Sequence, residues 1–306
     1  RVQPVACIID SVQTVNDPSI GSAPGSVAQV RDSAQWLVHQ ARARSVGMVL
    51  VGHVTKDGTL AGPRVLEHVV DTVVSFDGDG HHALRMLRVG KHRHGPTGEL
   101  GVLEMTGRGL MDVADASALF LADRCVEAPG SAVVATIDGD RPLLVELQSL
   151  VVASSLPAPR RSAQGVDSSR LSVLLAVLQQ RAGVACGTLD VYVSAAGGAR
   201  VVEPGADLGL CLAVASSLAG VTLPGDLVVC GEVGLAGELR RPVGIERRLA
   251  EAERVGYRTA LVPATVEPGR SSLRLIRVAS VSEALAQVLG PSSGPGAVDL
   301  VRGSSA

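Results

Sequence analysis

Residues 4–10 read PVACIID, a continuous apolar run closed by an acid. Such a run suits a parallel strand buried on both faces, where polar alternation is not needed. A Gly/Pro/Ser loop follows at 16–26 (NDPSIGSAPGS). Residues 27–46 then place Val27, Val30, Ala34, Leu37, Val38 and Ala41 at helical spacing. GMVLVGHVT (47–55) predicts a second buried strand. Strand, loop, helix, strand requires a crossover, and so a parallel sheet of the α/β class.

Outward from this unit the pattern changes. Residues 69–95 predict two antiparallel edge strands joined by a Gly-Asp turn, and 99–113 a further hairpin. ASSLPAPRRSAQG (153–165) has the composition of a linker. The expected division is therefore a parallel-sheet domain over 1–152, a linker over 153–167 and an α+β domain over 168–290. The Gly/Ser/Pro-rich end, 291–306, is expected to be disordered. In the second domain a serine-capped helix is predicted at 168–182, and hairpins at 188–204 and 226–243. A wholly apolar helix is predicted at 206–220, an amphipathic one at 244–256 and a strand at 258–264.

Composition narrows the function classes. The chain has 306 residues, 46% hydrophobic, yet lacks an uncharged apolar run long enough for a membrane span. Aromatics are 2%, which disfavours a groove that stacks bases on rings. The net charge of −2 confines any nucleic-acid surface to a local patch. Five scattered cysteines without a CxxC fit reduced thiols of a cytoplasmic protein better than disulfides or zinc. The chain opens without Met, directly before a strand, which reads as a piece of a longer protein.

Three stretches carry candidate chemistry. Asp10 ends a buried parallel strand, where α/β sheets bind ligands. In 52–71, His53 and Lys56 follow a strand end, and a glycine-rich loop leads to Arg64. GKHRHG (90–95) places Lys91 and Arg93 on one strand face, about 7 Å apart at strand rise. Two cations so spaced can straddle phosphates, and a charged edge strand is an equally simple reading. His81, His82, His92 and His94 lie within 14 residues, but no cysteine or obvious third ligand accompanies them. GEVGLAG (231–237) falls in a hairpin, which rules out a dinucleotide loop.

Longer strings carry a family resemblance. IIDSVQT, SAPGSVAQVRDSA, LVGHVTKDGTLAGPRVLEHVVDTVVSFDGD, KHRHG, GGARVVEPGADLGLCLAVASS and GEVGLAGELRRP resemble the bacterial RadA (Sms) DNA repair family. The similarity runs to about residue 288. The resemblance implies a partial RecA-like ATPase core followed by a Lon protease-like domain of the ribosomal protein S5 domain 2-like fold. It further implies a DNA-dependent ATPase in recombinational repair, migrating branches on single-stranded and branched DNA beside RecA. A cytoplasmic, hexameric ring would result.

Residue roles follow from the same resemblance. Asp10 matches the Walker B acid that holds Mg²⁺ through water. His53 and Lys56 would sense the γ-phosphate of ATP. The loops at 16–29 and 56–64 would touch DNA, with Gln29, Arg31, Lys56 and Arg64 as contacts. KHRHG stands where the family has KNRFG. Lys91, Arg93 and Gly95 match, and would reach ATP on the neighbouring subunit; His92 and His94 replace Asn and Phe. No GxxxxGK followed by Ser or Thr occurs, nor a four-cysteine finger, so Zn²⁺ is expected only in a region preceding Asp10. This chain alone is expected to bind ATP poorly. In the Lon-like half, Gly205 stands at the nucleophilic serine and Glu246 at the lysine, so acyl chemistry is not expected. Ser216 and Ser217, inside the apolar helix, are expected to bond back to the helix backbone. Arg160, Arg161, Arg170, Arg240, Arg241, Arg247 and Arg248 are candidates for a DNA-facing surface.

Overall fold

A computed structural model describes residues 3–23, 25–53, 66–78, 84–267, 269 and 271–290. Lys56, Arg64, His81, His82 and the tail 291–306 lie outside the described residues. The chain divides into two compact units, Arg1–Asp77 with Leu87–Glu99, and Gly78–Met86 with Leu100–Ala306.

The first unit contains the predicted crossover. Strand β1 (Ala6–Asp10) pairs in parallel with β2 (Gly47–Val51), Asp10 opposite Val51. Between them runs α1 (Val27–Ala43), capped by the Ser26 hydroxyl, which accepts from the Gln29 amide at 3.4 Å. Val12, Val30, Ala34 and Leu66 form its small core, with Leu50 against it. The strands are not buried on both faces as their composition predicts: Ile8 is 70% and Val49 54% exposed. Among the described residues the β1–β2 ribbon has only two strands, too few to cover its second face. β3 (Thr72–Gly78) and β4 (Leu84–His92) are the predicted edge strands. Their turn lies outside the described residues.

In the second unit β5 (Leu100–Thr106) and β6 (Gly109–Asp112) form the predicted hairpin, Thr106 opposite Gly109. Helix α2 (Ala116–Leu121) follows, capped by Asp115. β7 (Ser131–Asp138), β8 (Arg141–Ala153), β9 (Arg161–Gln164), β10 (Leu189–Ala195), β11 (Leu227–Val229), β14 (Thr259–Pro263) and β15 (Arg274–Val278) build one seven-stranded mixed sheet. Its order is β15-β14-β11-β7-β8-β10-β9. β12 (Glu232–Val233) and β13 (Leu239–Arg240) make a separate minimal hairpin. The helices are α3 (Ser168–Arg181), α4 (Asp207–Ala219), α5 (Ile245–Val255) and α6 (Val281–Leu289).

Period-two alternation sorts the sheet residues between two cores. Ala132, Val134, Val145, Leu147 and Val193 face α3, α4 and α6 through Leu174, Leu212 and Leu285. Val133, Ala135, Leu144 and Val262 face α5 through Ile245 and Leu249. Helix α4 lies so close to β7 that a Cβ on Gly209 would sit 2.1 Å from the Val134 side chain.

Several expectations change. The stretch 131–153 belongs to the same sheet as the strands β9, β10, β11, β14 and β15 that follow it, so the expected boundary at 152 falls within that layer. The expected linker contains β9, paired to β10 through its backbone; edge pairing needs no apolar side chains, so its polar composition hid it. The cap of α3 is Asp167, which accepts from the Arg170 amide at 2.8 Å, not a serine. Residues 188–204 are not a hairpin. β10 instead ends in a turn at Gly197 and Gly198, both at positive φ, and Val201 bridges Val166. The stretch 226–243 splits, β11 joining the large sheet.

Candidate functional site

In the first unit two of the residues that the sequence singles out, Lys91 and Arg93, lie together at the end of β4. Lys91 Nζ donates to the Val70 carbonyl at 2.9 Å and to the Glu67 carbonyl. Arg93 Nη1 lies 2.7 Å from Asp71 Oδ1, and the Arg93 amide donates to the Asp71 carbonyl at 2.9 Å. Arg42, in the last turn of α1, takes the same Oδ1 at 3.0 Å. Both cations of the motif thus converge on residues 66–71, although β4 ends at His92, so that Arg93 lies just beyond the strand and does not share its face with Lys91 as expected. Asp71 escaped sequence reasoning, although the pairing of the strands at 69–95 places it opposite Arg93.

The two substituted histidines have local roles. His92 Nδ1 meets the Thr72 hydroxyl at 2.9 Å. Its ring lies over Gly95, where a Cβ would come within 2.4 Å of Cδ2. Any side chain at 95 would therefore expel the ring. No group of three or more His, Cys, Asp or Glu able to hold a metal occurs among the described residues.

Asp10 is exposed at the carboxyl end of β1. Its carboxylate has no hydrogen-bond or ion-pair partner among the described residues, and a single exposed carboxylate could hold Mg²⁺, which takes one or two protein oxygens and keeps several waters. Gln13 Nε2 donates to the His53 carbonyl at 3.3 Å, tying the segments after β1 and β2. Gln29 does not present itself to a partner. It is fully buried, its Nε2 reaching Asn16 Oδ1 (2.8 Å) and the carbonyls of Asp17 (2.9 Å) and Ser22 (3.3 Å). It shapes the 16–22 loop from within. Arg31 is exposed and paired with its neighbour Asp32.

In the second unit the expected dyad positions hold a different chemistry. Glu203 and Arg248 form a two-pronged ion pair, Oε1–Nη1 2.5 Å and Oε2–Nη2 3.0 Å. The Arg248 side chain is 3% exposed and also donates to the carbonyls of Ala135 (2.7 Å) and Val243 (2.9 Å). Glu203 further accepts from the Gly205 amide at 2.7 Å. A Cβ on Gly205 would stand 2.6 Å from Glu203 Oε2 and 2.8 Å from Arg248 Nη1. Glu246 is exposed and paired with Arg241. Ser216 and Ser217 bond away from their helix backbone, correcting the expectation. The Gly130 amide donates to Ser216 Oγ (2.8 Å), and the Val151 amide to Ser217 Oγ (3.0 Å).

The proposed arginine surface is largely self-paired. Arg161 commits its guanidinium to the carbonyls of Cys186 (2.9 Å) and Leu189. Arg240 meets Glu238 at 2.5 Å and Glu232 at 3.6 Å. Arg170 holds Asp207 and the Val233 carbonyl, and Arg247 holds Asp140. The Arg160 backbone amide donates to Asp190 at 2.7 Å. Arg248 is interior and cannot face DNA. The reason is common to most of these: an acid or a strand-end carbonyl lies within reach of each guanidinium. Exposed pairs are weak and exchange readily.

The parallel β1–α1–β2 unit with an acid at its strand end, together with a mixed α/β sheet, defines an α/β protein with a RecA-like core. No family model matches the chain. It is 46% identical to the DNA repair protein RadA of Brucella abortus over 294 residues, covering 95% of the chain and 63% of that relative. Against RadA of Escherichia coli it is 47% identical over 285 residues, 92% of the chain and 62% of the relative. Against RadA of Streptococcus pneumoniae it is 41% identical over 291 residues, 94% of the chain and 69% of the relative. The chain belongs to the RadA family of DNA repair proteins. It spans somewhat under two thirds of the length of the first of these relatives. No helix among the described residues is long and apolar enough to cross a membrane.

Proposed function

We propose that this chain is the greater part of an ATP-driven, DNA-dependent motor of recombinational repair. It would process branched intermediates on single-stranded DNA beside RecA, as a hexameric ring. The observation that carries the reading is the 41–47% identity to DNA repair proteins sustained over 92–95% of the chain.

Asp10 would hold Mg²⁺ through water. When bound, the ion would supply charge neutralisation for the ATP phosphates. Lys91 and Arg93 would reach the triphosphate of the adjoining protomer. Their present partners suit that role, because a backbone carbonyl pair and a shared carboxylate are both exchangeable for phosphoryl oxygens. Lys91 has three N–H donors and uses two on the turn, leaving one to offer. Arg93 would leave Asp71 to Arg42 when a phosphate replaces it. A charged phosphate presents bidentate acceptors to the guanidinium. DNA would be met by the 16–29 and 56–64 loops, with Arg31, Lys56 and Arg64, by Arg160, and by Arg240 and Arg241 once their acidic partners are displaced.

A second reading follows from the sequence itself. The 306 residues contain no GxxxxGK loop, so this chain alone would serve as a non-catalytic DNA-binding or ring-assembly module. DNA-stimulated ATP hydrolysis separates the two. It should be measured on this chain and on the chain fused to the N-terminal third of the Brucella relative. Turnover in the fusion alone supports a motor whose phosphate cradle lies in the added part. No turnover in either would defeat the motor reading.

A further inference from the structure

The face of the large sheet that carries α5 changes character along its strands. Under α5 it is apolar, with Val133, Ala135 and Leu144 packed on Ile245 and Leu249. Beyond Glu146 it turns polar. Ser131 stands opposite Gln148, Gln148 opposite Ser194, and Ser194 opposite Gln164, a row across four adjacent strands. Directly opposed residues share a face, so the row lines one surface. The surface floors a cavity of about 480 Å³, with Tyr192 and Glu146 among its walls. Its rim is fixed at Gly130, whose carbonyl accepts from the Ser149 amide at 2.8 Å. Gly130 has φ 88°, and a Cβ there would lie 2.2 Å from the Ser149 carbonyl oxygen, so only glycine closes this corner.

Glu146 is the unusual member. It is 2% exposed, yet it forms no ion pair among the described residues. Its hydrogen bonds come from Ser131 Oγ and from Gln148 Nε2, the latter at 2.9 Å. Among the described residues no Arg, Lys or His lines the cavity. Arg124, at the start of the adjoining loop, donates through Nη1 to the Gly225 carbonyl (2.9 Å) and the Tyr257 hydroxyl (3.2 Å); its Nε is buried with no hydrogen-bond partner among the described residues, and it forms no ion pair with Glu146. A carboxylate has about four acceptor positions, so two neutral donors leave capacity unused. A buried carboxylate without a cation is costly, and a cation entering from the cavity relieves that cost. The other polar wall groups, amides and hydroxyls, add neutral acceptors, beside apolar Ala128, Pro129, Leu150 and Val193.

We propose that this cavity is a binding site for a small organic ammonium ion, with Glu146 as its counter-charge and the Ser131–Gln148–Ser194–Gln164 row as its polar floor. The volume suits a small free molecule, and the absence of lining cations excludes an anionic ligand, DNA phosphate included. This site is independent of the nucleotide chemistry proposed for the first unit.

Calorimetric titration of the full chain with 1,4-diaminobutane tests the proposal, with 1,4-butanediol as neutral isostere and a lysine tripeptide as the protein-borne source. Saturable binding of the diamine alone is expected, weakened at least about tenfold by Glu146→Gln. The same substitution should leave the urea midpoint unchanged or higher, because it removes an uncompensated buried charge. Ser194→Leu, which fills the cavity and leaves Glu146 in place, should also abolish binding. This second variant keeps the test decisive if Glu146→Gln fails to fold. Diol binding equal to diamine, unchanged affinity in either folded variant, saturation by the tripeptide alone, or no saturation by any probe would overturn the proposal.

Discussion

Glu203 grips Arg248 with both carboxylate oxygens, at 2.5 and 3.0 Å, in the space that any side chain at residue 205 would need. The pair explains why a serine cannot simply be restored there. Gly205→Ser should confer no peptidase activity and should lower stability by about 1–3 kcal/mol through overpacking. Glu203→Ala should cost more, about 3–5 kcal/mol, because it strands a buried guanidinium. Urea denaturation of both variants, with a serine-directed covalent probe on the first, checks the ranking. Labelling of the introduced hydroxyl would refute the packing argument.

Asp115 combines a helix cap with an ion pair. Its Oδ1 accepts from the Ala118 amide at 2.9 Å, and Arg254 holds both oxygens at 2.8 and 2.9 Å. Arg254, then the cap bond, holds its carboxyl down at about 2. A depressed carboxylate contributes stability above its unfolded value near 4 and loses it as pH falls toward 2. The group is more than a third exposed, so screening reduces the contribution to about 1 kcal/mol. Asp115→Asn should keep the cap and flatten the stability profile between about pH 4 and 2. An unchanged slope would remove the ion pair from the account.

Arg93 and Lys91 are predicted to act on a neighbour's nucleotide. In the fusion with a relative's N-terminal third, Arg93→Ala should cut ATP turnover by about 10³ or more, the scale of an arginine finger. Native circular dichroism should persist, because Arg93 is half exposed and its ion pair is a surface one. Asp71→Asn should spare folding and raise turnover at limiting ATP, since it frees Arg93. Full turnover in Arg93→Ala would end the trans-acting reading.

The cysteines should divide by access. Cys125 is exposed and Cys7 half-buried, whereas Cys186, Cys211 and Cys230 are buried. Burial pushes the Cys230 thiol up to about 12 and raises Cys211 as well. A thiolate is the reactive species. Maleimide should therefore label two sites in the folded chain and five in urea. Native labelling of Cys211 would show that the α4 layer opens, and of Cys230 that the α5 layer does.

Much of the fold was legible where burial is dictated by short-range periodicity. The crossover at 4–55, helix α4 and the amphipathic α5 follow from period counting alone. The central hairpin of β7 and β8 went unassigned, and β9 hid inside an apparent linker. Their place is set by pairing with β10 and β11, which lie tens of residues away in the chain. Backbone hydrogen bonds between strands leave no local signature in composition.

Sequence alone determined the family, the lack of a GxxxxGK loop within these 306 residues, and the presence of Gly205 and Glu246 where the resemblance would set a serine and a lysine. These are statements about which side chains exist. Only the tertiary structure decided what those side chains do. It buried Gln29, tied Arg161 to a turn, locked Arg248 to Glu203 and left Glu146 without an ion pair among the described residues. Charge and hydrogen bonding act over a few ångströms, and it is the fold that sets which residues come that close.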